Sequence, residues 1–365
     1  MSRTRNAGLA MGAAGLLAAA SIGSATAQEL DEVSVVLQWE PQAQFAGYFA
    51  ADALGYWEEQ GLDVTIIDGG PEVSPQVEGS LPTGPEFAVS WVPRVLAVRD
   101  EGSDLVNIGQ TFQRSATTSV SWADNPAASP EDFAGKTVGV WCCGNELEVT
   151  AAARQAGLEP GVDFEQAIQE FNMLAFLDRE IDVAEAMTYN EYAQVLETVN
   201  PETGELYQPE DLVVIDYNEV GTSMLQDAVH ARASWLAEEG NEDIATRFLA
   251  GVFKGWAFCR DNPEECVQFT VDSGSTLGLG HQRWMMNEIN PLIWPSPDGI
   301  GSMPVETYER TVQTMLDAGL ISEAPGDDAW RSDLTEAAWA LVGDEVDLFG
   351  EDFVKGEVEV TPGGE

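Results

Sequence analysis

Aromatic and amide side chains recur in this chain where apolar runs end. Gln38-Trp39 closes the run 33–37, Ser90-Trp91 closes 86–90, Trp141 closes 137–141, and Tyr189-Asn190-Glu191 follows 183–187. Indole and phenol rings offer flat faces for offset stacking, worth ~0.5–1.5 kcal/mol beyond area burial. Gln38 and Gln44 carry amides that pair with ring nitrogens or carbonyls as donor and acceptor. Gly144-Asn145-Glu146 lies between a predicted strand and a predicted helix, where free backbone N–H groups favour polar or anionic ligand atoms. Glu146 there repels an anion and suits an amino group instead. Gln226 and Asp227 interrupt an otherwise apolar run. The chemistry these types support is capture of a flat ring, not bond making.

Each candidate has a plainer alternative. Trp39 and Trp91 suit core packing, Gln44 a solvated helix face, and Glu146 a helix start complementing the dipole. Tyr189 to Glu191 also reads as an ordinary helix start, and Asp227 as the partner of an Arg. Residue types alone leave both readings open. Catalysis has less to work with: there is no Gly-x-Ser-x-Gly elbow, and His230 and His281 are the two histidines. Asp344-Glu345-Val346-Asp347 lacks the glycine and spacing of a calcium loop. No metal and no cofactor are therefore expected. Adjacent Cys142 and Cys143 lack redox CxxC spacing and nearby zinc partners, which leaves a structural or pocket-lining role with the redox state open.

The elements that must position these residues alternate. Strands are predicted over 33–37, 62–67, 86–90 and 115–122, with helices from Pro41 to Gly55 and over 92–99. A second set follows: strands 137–141, 183–187, 212–216 and 224–231, with helices 146–155 and 191–198. From Ser234 onward the pattern is helical, over 241–261, 263–273, 280–290 and 304–318. Alternation of this length indicates α/β architecture with parallel sheets. The order implies two lobes, the first discontinuous (30–120 plus 225–345) and the second spanning 121–224. Crossovers are expected near 118–123 and 217–224, making a hinge with a ligand cleft between the lobes. Residues 350–365, rich in Gly and Glu, read as a flexible acidic tail.

Arg3 and Arg5, an apolar small-residue run and Ala25-Thr26-Ala27 have the layout of a secretory signal peptide, 1–27, with cleavage expected after Ala27. The protein is thus expected outside the cytoplasm. Its net charge is −47, and three of its 16 basic residues are Lys. Without a basic patch to release counterions from phosphates, nucleic acid is excluded as a partner. Dispersed carboxylates with so few Lys suggest a salt-rich, halophilic setting, where strong screening tames self-repulsion. Equal stability at low and high salt would argue against that. Cys259 and Cys266 are too far apart to bridge along one continuous helix, at ~10.5 Å of rise. Asn262-Pro263 between them reads as a helix stop and restart, and an oxidising compartment then favours a disulfide.

Several motifs together resemble a known family. These are Leu37-Gln38-Trp39-Glu40-Pro41 through Tyr48, Gly55-Tyr56-Trp57, Gly61-Leu62-Asp63-Val64, and Pro130 through Val140. The run Trp141–Glu146, Ala186 through Tyr192, and Ile293 through Gly299 complete the set. They resemble solute-binding proteins of ABC importers in the branch related to thiamine-pyrimidine synthases, which includes pyrimidine, riboflavin and alkanesulfonate receptors. The resemblance covers roughly 33–319. It implies a two-lobed periplasmic-binding-protein fold (type II-like) and periplasmic capture of a small aromatic heterocycle, handed to a membrane permease, by a monomer. Its implied ligand-binding set is Gln38, Trp39, Gln44, Phe45, Ser90, Trp91, Trp141, Asn145, Glu146, Tyr189, Asn190, Glu191 and Asp227. The rival is the synthase itself. That enzyme needs a His where this chain has Phe45, and a Cys cluster where it has Gly221 to Asp227 without Cys.

Overall fold

The computed structural model describes residues 30–142 and 144–365; the expected leader 1–27 and Cys143 lie outside the described residues. The strands in chain order are β1 (Asp31–Val36), β2 (Leu62–Ile67), β3 (Phe87–Trp91), β4 (Leu105–Gly109), β5 (Thr117–Trp122), β6 (Thr137–Val140), β7 (Glu165–Ile168), β8 (Val183–Met187), β9 (Leu212–Asp216) and β10 (Asp227–Arg232). They form two five-stranded sheets, ordered β2-β1-β3-β10-β4 and β7-β6-β8-β5-β9. The helices that matter to the site are α1 (Ala46–Ala53), α2 (Val92–Asp100), α3 (Leu147–Gln155), α4 (Glu191–Leu196), α5 (Asn241–Asp261), α6 (Pro263–Asp272) and α7 (Leu279–Ile293). With both sheets flanked by helices, this is the α/β architecture of periplasmic binding proteins.

Each sheet holds one reversed strand. β10 runs antiparallel to β3 and β4, and β5 runs antiparallel to β8 and β9. The reason is topological: a chain crossing from one sheet enters the other at the end that faces the cleft, so the entering strand must run away from it. The first crossing therefore occupies residues 110–116, since 117–122 is already a strand of the second sheet. This corrects the crossover expected at 118–123. The error follows from β4, whose short run Leu-Val-Asn-Ile-Gly carries a polar residue in its middle and gives a weak strand signal. Polar, half-exposed β7 escapes notice for the same reason.

The first lobe packs around aromatic rings. Phe248 of α5 stacks on Phe87 at 3.9 Å and on Trp57 at 5.3 Å between centroids. α1 crosses α5 closely because Gly47 lies against the Trp256 indole and Gly255 against the Gly47 carbonyl, where a Cβ has no room. α5 stops at Asp261 and α6 restarts at Pro263, folding Cys266 back to form a disulfide with Cys259, their Cα atoms 5.4 Å apart. The closing segment 350–365, expected as a flexible tail, is docked instead. Lys355 pairs with Glu288 at 2.5 Å, Gly363 N–H donates to the Glu197 carbonyl at 2.9 Å, and the Gly364 carbonyl sits against Gly278 and Gly280. The glycines read as a sign of flexibility are what permit this close contact.

Candidate functional site

β1, β3 and β8 end at a cleft between the two sheets, and most of the aromatic and amide candidates collect there. The cleft encloses about 440 Å³ of atom-free space, its mouth included. It is lined from the first lobe by Gln38, Trp39, Gln42, Gln44, Trp91 and Arg94. The second lobe supplies Trp141, Asn145, Phe171, Met187, Tyr189, Asn190 and Glu191.

The loop after β1 turns sharply enough to aim Trp39 into the cleft because Gly69, just beyond β2, packs against its backbone and donates its N–H to the Trp39 carbonyl at 3.0 Å. A 3-10 turn, Ala43–Phe45, interrupts the helix expected from Pro41 onward. It brings Gln42 Nε2 to within 2.6 Å of Gln44 Oε1, while Gln44 Nε2 donates to Asp227 Oδ2 at 2.8 Å. Asp227 pairs across the sheet with Trp91 and lies wholly buried behind the cleft wall. Burial pushes its carboxyl up to about 7, against the opposing bond from Gln44, the nearby Trp91 indole and the charge of Arg94. Its Oδ1 has no hydrogen-bond partner among the described residues.

Arg94, in the first turn of α2, reaches across the cleft to donate from Nη2 to Asn145 Oδ1 at 2.8 Å. Its guanidinium lies 5.3 Å from the centre of the Trp91 ring, and its Nε is buried without a partner among the described residues. Gln38 Oε1 is likewise buried and unpartnered. From the second lobe, Glu191 accepts the Met187 N–H at 3.0 Å and the Asn190 amide at 2.8 Å, and burial pushes its carboxyl up to about 7. Burial also holds the Tyr189 phenol well above its ordinary value. Trp141 donates its backbone N–H to the buried Glu185 at 2.8 Å. Phe171 stands between the lobes, edge-on to Trp39 at 4.9 Å and near-parallel to Trp141 at 6.2 Å.

Four candidates fall outside the lining. Phe45 is fully buried in the first core, and Ser90 is buried with its hydroxyl on Gln76. Both belong to interior runs, whose inward faces pack on helices instead of reaching strand ends. Glu146 turns back to accept the Gly144 N–H at 2.9 Å, so the argument against an anion that rested on it passes to Glu191 and Asp227. Asp227 stands one layer behind. Conversely, Gln42, Arg94, Phe171 and Met187 line the cleft without having been anticipated. The Pro93-Arg94 pair at a strand-to-helix turn was a readable signal, because the first helical turn faces the same end as the strand's last residue. Phe171, in an irregular stretch between β7 and β8, carried none. Cys142 is disulfide-bonded and lies beside Asn145, whose amide donates to its carbonyl at 3.2 Å. No cluster of three or more His, Cys, Asp or Glu among the described residues is arranged to hold a metal ion.

Residues 42–266 match the NMT1/THI5-like family. The chain belongs to that family. Among curated relatives, it is 25% identical to the riboflavin-binding protein RibY of Chloroflexus aurantiacus over 310 residues, 82% of this chain and 84% of that one. It is 24% identical to the formylaminopyrimidine-binding protein of Halalkalibacterium halodurans over 317 residues, 84% and 91% of the two chains. The solved structure of the periplasmic aliphatic sulphonate binding protein SsuA from Escherichia coli shares the fold, with a TM-score of 0.61 at 15% identity, covering 85% of this chain and 92% of that one. The family match spans both lobes and every one of the cleft-lining residues from Gln42 to Glu191.

Proposed function

We propose that this chain is the extracytoplasmic solute-binding component of an ABC import system, and that it captures a small flat nitrogen heterocycle by lobe closure. The ligand class is a thiamine-precursor pyrimidine or a riboflavin-like ring. The observation that carries this reading is the convergence of Trp39 and Trp91 with Trp141 and Tyr189 from the facing lobe, over polar groups left without partners. Rings from both sides sandwich a flat guest. Gln38 Oε1 accepts from a ring N–H or amino group, and Arg94 donates to a ring nitrogen or carbonyl. Two relatives whose names specify riboflavin and formylaminopyrimidine support a heterocycle over a sulfonate. Ligand binding favours the closed arrangement through contacts made only when both lobes meet. The receptor works as a monomer and passes its cargo, chemically unchanged, to a membrane permease.

Mass spectrometry of small molecules released from the purified protein tests this directly, followed by calorimetry with riboflavin and with an aminopyrimidine. An intact heterocycle is expected, bound in a one-to-one ratio. Turnover of the bound molecule, or failure of every flat heterocycle to bind, would overturn it.

A further inference from the structure

The lobes also meet beside the cleft, through α7. This helix belongs to the first lobe: Gln282 accepts the Ala43 N–H at 2.7 Å, and Met285, Met286 and Ile289 enter the first core. Its other side faces α4 of the second lobe. Trp284 donates its indole N–H to the Thr188 carbonyl at 3.0 Å, and its ring approaches Tyr192 at 6.0 Å. One turn earlier, His281 is buried against Glu197, which is buried as well. His281 Nδ1 lies 2.9 Å from both carboxylate oxygens of Glu197, and Nε2 lies 3.0 Å from Asn190 Oδ1.

The neighbours of Asn190 settle which way its amide points. Nδ2 donates to Glu191 Oε1 at 2.8 Å, and Oδ1 accepts from Gln194 Nε2 at 3.2 Å. His281 thus has an acceptor on each side. A neutral imidazole has one N–H and satisfies only one of them; an imidazolium satisfies both. The closing segment seals the arrangement. Gly363 N–H donates to the Glu197 carbonyl, and Gly364 lies against the His281 Cβ and the Glu197 carboxylate.

We propose that His281 is a positioning residue: as an imidazolium it clasps the two lobes through Glu197 and holds Asn190 and Glu191 in the cleft wall, so that losing its proton releases the closed form. The titratable groups around it are Glu197 and Glu191 from the second lobe and Glu365, whose backbone oxygen lies near Gly280. Arg283 of α7 is engaged by Glu264 of α6, and Glu288 by Lys355.

The test uses the full chain without ligand, so it does not depend on the heterocycle reading and fails separately from it. Small-angle X-ray scattering and hydrogen exchange are compared at pH 5.5, 7.5 and 9. The radius of gyration is expected to step up with pH as the lobes part, and the Gly363 amide to exchange about tenfold faster. His281→Gln, neutral at every pH, is expected to be open throughout and to lose the step. Glu197→Gln keeps an acceptor but removes the charge, and is expected to lose it too. Unchanged dimensions of the wild-type chain across this range would overturn the proposal, and that arm requires no variant to fold. A step surviving in His281→Gln would also overturn it, assigning the transition to another group such as Glu148.

Discussion

The two lobes share a strand order but not a means of holding together. In the first, the rings of Phe87, Phe248 and Trp57 stack in one continuous core that also takes in α1, α5 and α7. In the second, the apolar clusters are smaller, and buried carboxylates pin the backbone around the cleft. Glu185 holds the Trp141 N–H and Glu191 the Met187 N–H. Glu148 of α3 holds both crossings at once, accepting from the Ser115 hydroxyl at 2.8 Å and the Met224 N–H at 2.9 Å. Stacked rings are indifferent to pH. Buried carboxyls are not, because burial raises their proton affinity. The second lobe and the crossings are thus pH-sensitive through Glu148, Glu185 and Glu191, while in the first lobe that sensitivity is confined to β10, where Asp227 and His230 lie beside a core of ring packing.

The sharpest way to break this comparison is Phe248→Ala. Removing a ring stacked on two others is expected to cost ~3–5 kcal/mol. Denaturant unfolding should show nearly the same loss at pH 5.5 and 8. A loss confined to one pH would mean the first core also depends on ionisation.

Glu148→Gln probes the second lobe, and its effect should appear only at one end of the pH range. Burial holds the Glu148 proton up to about 8, against an ordinary 4.5. Between those values the native state binds more protons than the unfolded chain, so this contribution is full at the acid end and lost as pH rises towards 8. His230 of β10 opposes it: burial depresses its imidazole to about 4, so stability falls as pH drops from the ordinary 6.5 towards that value. Asp227 and Glu191, both raised to about 7, act in the same sense as Glu148, so stability declines with rising pH through this range. Glu148→Gln, which still accepts from Ser115 or Met224, should flatten the alkaline limb by on the order of 2 kcal/mol and leave the acid limb alone. An unaltered alkaline limb in thermal scans would remove Glu148 from that role.

The smallest expected effect is at the cleft. Trp39→Ala takes one wall from the aromatic lobe and should weaken binding of the proposed heterocycle roughly tenfold. Calorimetry showing unchanged affinity would take Trp39 out of the site, and leave Trp141 and Phe171 as the stacking partners.

Much of the cleft was legible because open α/β sheets present their strand ends to one place, so a ring or amide at a strand end announces its own location. Gln38, Trp39, Trp91, Trp141 and Tyr189 to Glu191 were found that way. Ser90 and Phe45 show the limit. One residue along a strand or turn exchanges the cleft for the core, and sequence boundaries blur by about that much. Glu146 shows another, since a carboxylate beside free backbone N–H groups can satisfy its own loop first.

What the residues determined unaided was local and periodic: the alternation of strands and helices, the break at Asn262-Pro263 that lets Cys259 meet Cys266, and the aromatic strand ends. Contacts between residues far apart in the chain were decided only in the folded molecule. Arg94 reaching Asn145, Glu148 gathering both crossings, and His281 facing Glu197 beneath Gly364 all join segments by closing long loops. No local propensity encodes such pairs, because their energy exists only once packing has removed water from both partners.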